Sequence, residues 1–203
     1  MGYREDNWSL PRDRQIILGR QNIFDGTWDK APSMGWMFVP LTQYHGGGDA
    51  ATIEPLAKHL DTYEAFLSEN FGAGVQACYR GARLYDTKET KEAIIKWVTF
   101  YKKYRTILDS DIIHVRRPDA RDIDIILHVN PQLPQKGLAA VFNPLTIPVK
   151  RSFTLPLYYT GLTDTAKIRE QEGPSKTYKL DRAYNVTLSV EMKQQSMTWF
   201  VIE

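Results

Sequence analysis

The stretch "KEAIIKWVTFYKKYRTILDSDIIHVRRPD", residues 91–119, marks a change from helical to strand-like sequence. Its first part repeats apolar side chains every three or four positions, which predicts an amphipathic helix ending near Leu108: Ile94, Trp97, Val98, Tyr101, Tyr104 and Leu108. Asp86, with Glu89 three residues later, predicts a capping box at the start of this helix. From Asp111 onward short β-prone runs replace the helical period, so we place a domain boundary between residues 108 and 109.

Downstream of this boundary the chain alternates between short strands and turn residues. Eight β-prone runs follow one another between 111 and 203, separated by Pro, Gly, Asn and Asp. The alternation of apolar and polar residues is clearest in "NVTLSVEM", residues 185–192. This pattern predicts an antiparallel β-sandwich over 109–203.

Upstream of the boundary the pattern is strand, helix, strand, helix. The runs at 33–41 and 73–81 are short and apolar, as in buried strands, and residues 49–72 between them predict an amphipathic helix that is interrupted near Pro55 and ends at Gly72. A further short helix is predicted before them, closed by Gly26. Successive βα units of this kind indicate a parallel sheet.

Composition excludes several classes of function. The net charge is +2 and no basic block stands out, so nucleic acid is not an expected partner. No run approaches the roughly 20 apolar residues of a membrane span. The four histidines lack the spacing of metal ligands, and we expect neither a metal nor a cofactor. The N-terminal segment has no signal-peptide pattern and reads as the middle of a longer protein, so we expect the chain to be a C-terminal piece.

Polar and aromatic side chains follow each of the two predicted strands. In parallel α/β folds, ligands bind at the carboxyl ends of strands. The residues there offer donors, acceptors and stacking surfaces suited to a polyhydroxylated ligand: Gln43, Tyr44, His45 and Asp49 after the first strand, Tyr79 and Arg80 after the second. Alternatively, 43–49 is a loop that only caps the next helix. A phosphate-binding loop is disfavoured because no Lys-Ser/Thr pair follows the glycines.

Carboxylates beside aromatic residues are candidate general acids. Asp6 lies next to Asn7 and Trp8, and Asp25 and Asp29 flank Trp28. Burial against a ring raises the pKa of a carboxyl group, as a general acid requires. Each of these acids can equally be a solvated turn residue.

The order "REDNW…RDRQ…PSMGWMFVPLTQYHGGG…GVQACYRG…KEAIIKWVTFYKKYR" resembles the last part of the catalytic barrel in glycoside hydrolases of the α-galactosidase (melibiase) clan. The segments "WVTFYKKYR", "KGLAAVFNPL" and "FTLPLYYTGL" are similar to the junction with the C-terminal sandwich of that clan. The resemblance implies that 1–108 is the C-terminal portion of a (β/α)8-type barrel and that 109–203 is the β-sandwich domain.

The resemblance also implies a retaining mechanism with two carboxylates. Asp6 would be the acid/base, and the nucleophile would lie on a barrel strand upstream of this chain. The implied substrate-binding set comprises Trp36, Gln43, Tyr44, His45, Asp49, Tyr79 and Arg80. The expected partners are a carbohydrate and the missing N-terminal barrel, without which the chain should be inactive. A periplasmic or extracellular parent protein is consistent with this clan.

Two other hypotheses remain open from the residues alone. One is a non-catalytic carbohydrate-binding sandwich, which needs exposed aromatic residues; the candidates are Tyr158, Tyr159, Tyr178 and Trp199. Tyr158 and Tyr159 would face opposite sides of a strand, and the alternation of Trp199 with Val201 predicts a core position for Trp199. The other hypothesis is a structural domain that binds no sugar.

Overall fold

The computed structural model describes residues 10–28, 48–75 and 83–203. The chain divides into two compact units, Met1–Arg105 and Thr106–Glu203, and each is described by itself. The predicted strand at 33–41 lies outside the described residues, as does most of the one at 73–81. The predicted boundary between 108 and 109, with its assignment of domains, stays a prediction.

The first unit begins with helix α1, Arg12–Trp28. Its first internal turn is closed by the amide of Gln15, which donates to the carbonyl of Pro11 at 3.0 Å. The helix continues past the predicted end at Gly26. Its buried side chains recur at helical spacing, which fixes the inner face: Gln15, Ile16, Arg20, Ile23 and Phe24.

The second helical region is broken into three pieces, as Pro55 predicts. Helix α2 covers Gly48–Ala51, a 3₁₀ helix covers Leu56–His59, and α3 covers Leu60–Gly72. The end at Gly72 is confirmed. The amphipathic prediction is wrong for the second half of α3, where every residue from Ala65 to Gly72 is buried. Two of its polar side chains bond to the helix itself, which offsets the cost of their burial: Ser68 Oγ donates to the carbonyl of Ala65 and Asn70 Nδ2 to that of Phe66.

Helix α4, Lys88–Leu108, is the amphipathic helix expected from the sequence. Its cap is made by Thr87 and Thr90 rather than by the predicted pair, Asp86 and Glu89. The amides of Asp86 and Thr87 donate to Thr90 Oγ1 at 3.1 and 3.0 Å. The carboxylate of Asp86 accepts from Thr90 Oγ1 at 3.2 Å and also from the amide of Ala57, at 3.1 and 3.2 Å, and so ties the start of α4 to the 3₁₀ helix.

The second unit, described throughout, contains eight strands, and each matches one of the predicted β-prone runs. Their bounds are β1 Asp111–Arg116, β2 Asp124–Val129, β3 Gly137–Asn143, β4 Val149–Pro156, β5 Thr165–Glu170, β6 Lys176–Lys179, β7 Asn185–Met192 and β8 Ser196–Ile202. Six of them form one sheet in the order β1-β2-β3-β8-β5-β6, and β4 pairs with β7 in a second sheet. All pairs are antiparallel, which confirms the predicted sandwich.

The core of the sandwich forms where alternating side chains of the two sheets meet. Along β7, Val186, Leu188, Val190 and Met192 are buried while Thr187, Ser189 and Glu191 are exposed, as the alternation predicts. Phe153 of β4 packs edge-on against Phe200 of β8, with ring centroids 5.8 Å apart. Trp199 is buried, as predicted, but it lies on the opposite face of the larger sheet from Phe200 and is not part of this inter-sheet core.

The prediction that Tyr158 and Tyr159 face opposite sides of a strand is wrong. Residues Tyr158–Thr160 form a 3₁₀ helix that ends at Gly161, whose φ of 75° suits glycine. Both tyrosines are more than 60% exposed, and their rings meet edge-to-face at 5.2 Å. A turn of helix, unlike a strand, lets adjacent side chains share one side of the molecule.

Asp181 organises the turn that enters β7, and this gives a prediction about pH. Its carboxylate accepts from the amides of Asn185 and Ala183, each at 2.8 Å, and these bonds hold the pKa of Asp181 below its usual value. A lowered folded-state pKa means that the stabilisation is complete above the ordinary Asp pKa of about 3.9 and is lost as pH falls through the lower folded-state value. We expect the amide shifts of Ala183 and Asn185 to titrate with a midpoint below that ordinary value. A midpoint at or above it, or an unchanged titration in Asp181→Ala, would contradict this role.

Candidate functional site

Two of the predicted site residues in the first unit lie within the described part of the chain, Asp25 and Asp49. Asp25, a candidate general acid, is exposed on α1. The other candidates lie outside the described residues and are not located by the structure: Asp6, Asp29, Trp36, Gln43, Tyr44, His45, Tyr79 and Arg80. Their convergence therefore stays a prediction. What the structure does describe is the segment that follows each group of candidates, 48–57 after the first strand and 83–87 after the second.

Asp49 lies in the first turn of α2, directly after the three glycines. Gly48 has a φ of 59°, a left-handed conformation that glycine adopts without strain. The side chain of Asp49 is exposed, and its backbone carbonyl accepts from Arg12 Nη1 at 2.6 Å. The carboxylate is thus free to face solvent or a ligand while the backbone behind it is held.

Two side chains of α1 anchor this segment. Arg12 Nη1 also donates to the carbonyl of Thr52 at 2.7 Å. Gln15, which is fully buried, donates from Nε2 to the carbonyls of Ala51 and Leu10 at 2.9 and 2.7 Å. Arg12 and Gln15 were not among the predicted site residues, although both lie in the "RDRQ" motif. They fix the end of the glycine-rich segment from a distant part of the chain.

Removing the Arg12 anchor should loosen α2. In Arg12→Met the carbonyls of Asp49 and Thr52 lose a charged donor, and bonds of this kind contribute about 1.5–3 kcal/mol, less where they are exposed. The amide of Thr52 donates to the carbonyl of Gly48 and reports whether α2 is formed. We expect its hydrogen exchange to accelerate about tenfold, a change of roughly 1.4 kcal/mol.

The matched control for this experiment is Arg14→Met, because Arg14 is exposed on the same helix. It should leave the exchange of Thr52 unchanged. Equal acceleration in both variants, or none in Arg12→Met, would show that Arg12 does not hold α2.

The segments that follow the two groups of candidates are in direct contact. Arg83 Nε lies 3.6 Å from Glu54 Oε1, and Asp86 accepts from the amide of Ala57. Burial raises the pKa of Glu54, a shift that Arg83 opposes and Asp86 reinforces. Tyr63 of α3 adds a third link, donating from its hydroxyl to the carbonyl of Leu84 at 2.8 Å. The continuation of the first predicted strand therefore lies beside the continuation of the second.

Neither a metal site nor a membrane span emerges from the described residues. Within 10–28, 48–75 and 83–203, no three His, Cys, Asp or Glu side chains cluster as metal ligands would. No helix among these residues has the length and apolar character to cross a bilayer.

Comparison by sequence gives no match to a family model or to a curated protein. Comparison by structure does give matches. The galactosidase domain of the α-galactosidase–sucrose kinase AgaSK superposes with a TM-score of 0.58 and 16% identity, over 92% of this chain and 24% of that one. The chain has an α-galactosidase-like fold. The expected fold class, a partial barrel followed by a sandwich, is confirmed with it.

Other glycoside hydrolases share this α-galactosidase-like fold. α-Galactosidase I from Mortierella vinacea matches with a TM-score of 0.54 and 12% identity, over 92% of this chain and 44% of that one. An α-amylase from Geobacillus thermoleovorans, complexed with acarbose, matches with a TM-score of 0.51 and 9% identity, over 84% and 38%. The chain spans less than half the length of each of these structures, and identities this low establish the fold alone.

Proposed function

We propose that the chain is the C-terminal part of a retaining glycoside hydrolase of the α-galactosidase type, in which an N-terminal barrel portion completes the catalytic domain. The observation that carries this proposal is the fold likeness to the galactosidase domain of AgaSK over 92% of the chain. The lengths of the two chains also support the proposal, because this chain corresponds to about a quarter of that protein.

In this proposal the loops after the two predicted strands bind the sugar. The substrate-binding set is Trp36, Gln43, Tyr44, His45, Asp49, Tyr79 and Arg80. Support comes from the contacts of Glu54 with Arg83 and of Ala57 with Asp86, which bring the continuations of the two loops together. The anchoring of α2 by Arg12 adds rigidity on the side where Asp49 lies. A site that is held by rigid elements positions its ligand more accurately than a free loop does.

The chemistry divides between two carboxyl groups. A nucleophilic carboxylate from the N-terminal portion attacks the anomeric carbon, and the bond from that carbon to the leaving oxygen breaks. Asp6 donates its proton to the leaving oxygen in this step. In the second step the ionised Asp6 takes a proton from water, whose oxygen displaces the enzyme carboxylate and restores the original anomeric configuration.

The chain by itself should then be inactive. It lacks the nucleophile, and a portion of a barrel leaves sheet edges that the remaining strands would otherwise pair. Incubation with 4-nitrophenyl α-D-galactopyranoside should release no nitrophenol. The longest protein that the reading frame encodes should release it, and ¹H NMR should show α-galactose as the first product.

Two results would contradict this function. One is turnover by the 203-residue chain that Asp6→Asn abolishes, since no second carboxylate from upstream would then be needed. The other is β-galactose as the first product of the longer protein, because that outcome belongs to an inverting mechanism.

A carbohydrate-binding sandwich without catalysis is the second candidate. The observation in its favour is the exposure of both Tyr158 and Tyr159 on one turn of helix. This candidate predicts retention of the longer protein on an immobilised saccharide with no hydrolysis of any aryl α-glycoside.

A further inference from the structure

A groove of about 600 Å³ lies in the second unit between the β5–β6 hairpin and β7. Its lining residues come from both sheets of the sandwich and from the hairpin loop: Ile168, Glu170, Gln171, Glu172, Gly173, Pro174, Lys176, Tyr178, Ser189 and Phe200. The volume is in the range of small-molecule sites, which is roughly 300–1,000 Å³.

Strand register explains why these side chains share the groove. Residues directly opposite in an antiparallel pair point to the same face. Lys176 of β6 pairs with Ile168 of β5, Tyr178 with Ala166, and Glu170 with Phe200 of β8. All of them therefore lie on the inner face of the larger sheet. Ile168, Phe200 and the half-buried ring of Tyr178 provide the apolar surface.

A chain of hydrogen bonds orients the polar wall. Gln171 Nε2 donates to Thr198 Oγ1 at 3.0 Å, and Thr198 Oγ1 donates to Glu170 Oε1 at 2.8 Å. Thr198 is buried, so it holds both exposed side chains from beneath. Glu170 Oε2 and Gln171 Oε1 take no part in these bonds and remain as acceptors on two oriented side chains.

The backbone of the hairpin loop is also fixed, in a conformation that carries strain. Gln171 has a φ of 50°, which a side chain other than glycine rarely adopts. Its amide donates to the carbonyl of Trp199 at 2.9 Å, and the amide of Gly173 donates to the carbonyl of Glu170 at 2.9 Å. A Cβ at Gly173 would lie 3.0 Å from that carbonyl oxygen, a tight contact, so the turn favours glycine. Strained residues of this kind occur preferentially at ligand sites.

The chemistry of the lining selects a class of ligand. Two glutamates against one lysine give the groove a net negative charge, which disfavours phosphates and other anions. Carboxylate and amide oxygens accept from hydroxyl groups, Lys176 donates, and an aromatic face packs against the apolar side of a sugar ring. We propose that this groove is a binding site for a neutral saccharide on the sandwich, separate from the residues proposed for catalysis.

Tyr158 and Tyr159 make a weaker candidate for the same role. Their rings are perpendicular, with an interplanar angle of 89°, so they do not form a flat platform. The groove instead combines a ring, an oriented polar wall and a concave shape. This proposal rests on the lining of the groove and stands or falls independently of the catalytic role of the first unit.

The test is an NMR titration of the ¹⁵N-labelled 203-residue chain with galactose, melibiose and maltotriose. We expect at least one of these sugars to shift the amide signals of 170–178 saturably, with a dissociation constant in the millimolar range. Because each residue reports separately, shifts at 43–49 or 79–80 would be assigned to the proposed catalytic loops and not to this groove.

Variants in the groove distinguish binding from a general structural effect. Glu170→Gln keeps the shape and the oxygen that bonds to Thr198, but replaces the second carboxylate oxygen with an amide donor; we expect the dissociation constant to rise about tenfold. Tyr178→Leu retains an apolar side chain without the ring and should weaken binding similarly. The matched controls are Glu191→Gln on the exposed face of β7 and Ile147→Ala, an exposed side chain outside the groove, which should bind like the unaltered chain.

Three outcomes would overturn the proposal. The first is no saturable shift at 170–178 with any of the three sugars. The second is an equal loss of affinity in the groove variants and the controls. The third is a shift of 170–178 by trilysine and not by the sugars, which would make the groove a site for cationic peptides.

Discussion

Replacing Asp6 by Asn in the longer protein should lower kcat for α-galactosides by about 10²–10⁴-fold, the contribution that a positioned general acid or base makes. The amide of Asn can neither protonate the leaving oxygen nor take a proton from water. Steady-state kinetics with melibiose and with 4-nitrophenyl α-D-galactopyranoside would measure the effect.

The pattern across substrates identifies the role. Nitrophenolate leaves with little assistance from an acid. The rate of the glycosylation step should therefore fall less with the aryl substrate than with melibiose. Asp13→Asn, an exposed acid in the first turn of α1, is the control and should keep nearly full activity. Full activity in Asp6→Asn, or an equal loss in glycosylation rate with both substrates, would remove Asp6 from the acid/base role.

Truncating Leu127 should strongly destabilise the sandwich. Leu127 is fully buried on β2, among the side chains that both sheets contribute. Leu→Ala substitutions at such positions cost about 2–5 kcal/mol, because transfer free energy is lost and a cavity remains. Urea unfolding of the full chain, followed through the amide signals of β2 and β8, would measure the loss for the second unit.

Ile147→Ala provides the comparison within the same unit. Ile147 is 58% exposed, and its truncation should change the free energy of unfolding by less than about 0.5 kcal/mol. Equal losses in the two variants would mean that the inner face of β2 does not form the core.

The sandwich was predictable because its signals are local. Turn residues separate the strands, and the alternation in β7 assigns its inner and outer faces without knowledge of the partner strand. The pairing order was not predictable, because β8 lies between β3 and β5 through contacts that are distant in sequence. Such pairing depends on which apolar faces pack together, and the sequence of a single strand does not indicate its partner.

The start of α4 and the second half of α3 differ from their predicted structures for physical reasons. Thr87 and Thr90 form the cap of α4, and the carboxylate of Asp86 binds both Thr90 Oγ1 and the amide of Ala57, a partner far away in the chain. Every residue from Ala65 to Gly72 is buried, and Ser68 and Asn70 tolerate this because each donates to a carbonyl of the same helix. A tertiary contact at Asp86 and burial along α3 therefore override the local patterns.

In the candidate site, too, local features were predictable and long-range contacts were not. The positions of the glycines and of Asp49 suggested a loop that ends in a helix, and α2 is that helix. Arg12 and Gln15 carried no signal of their own, because a side chain that bonds to a distant carbonyl leaves no periodic pattern in the sequence. The groove around Gln171 could not be predicted either, because residue types indicate neither the φ of Gln171 nor the hydrogen bond of Gln171 to Thr198.

The loops after the two predicted strands are proposed to hold one sugar, and a crystal structure of the longer protein with galactose bound would show whether they do. We expect polar atoms of Gln43, His45 and Arg80 within about 3 Å of hydroxyl oxygens of a single galactose. Galactose bound elsewhere, with these three side chains on different sides of the molecule, would rule out a shared sugar site.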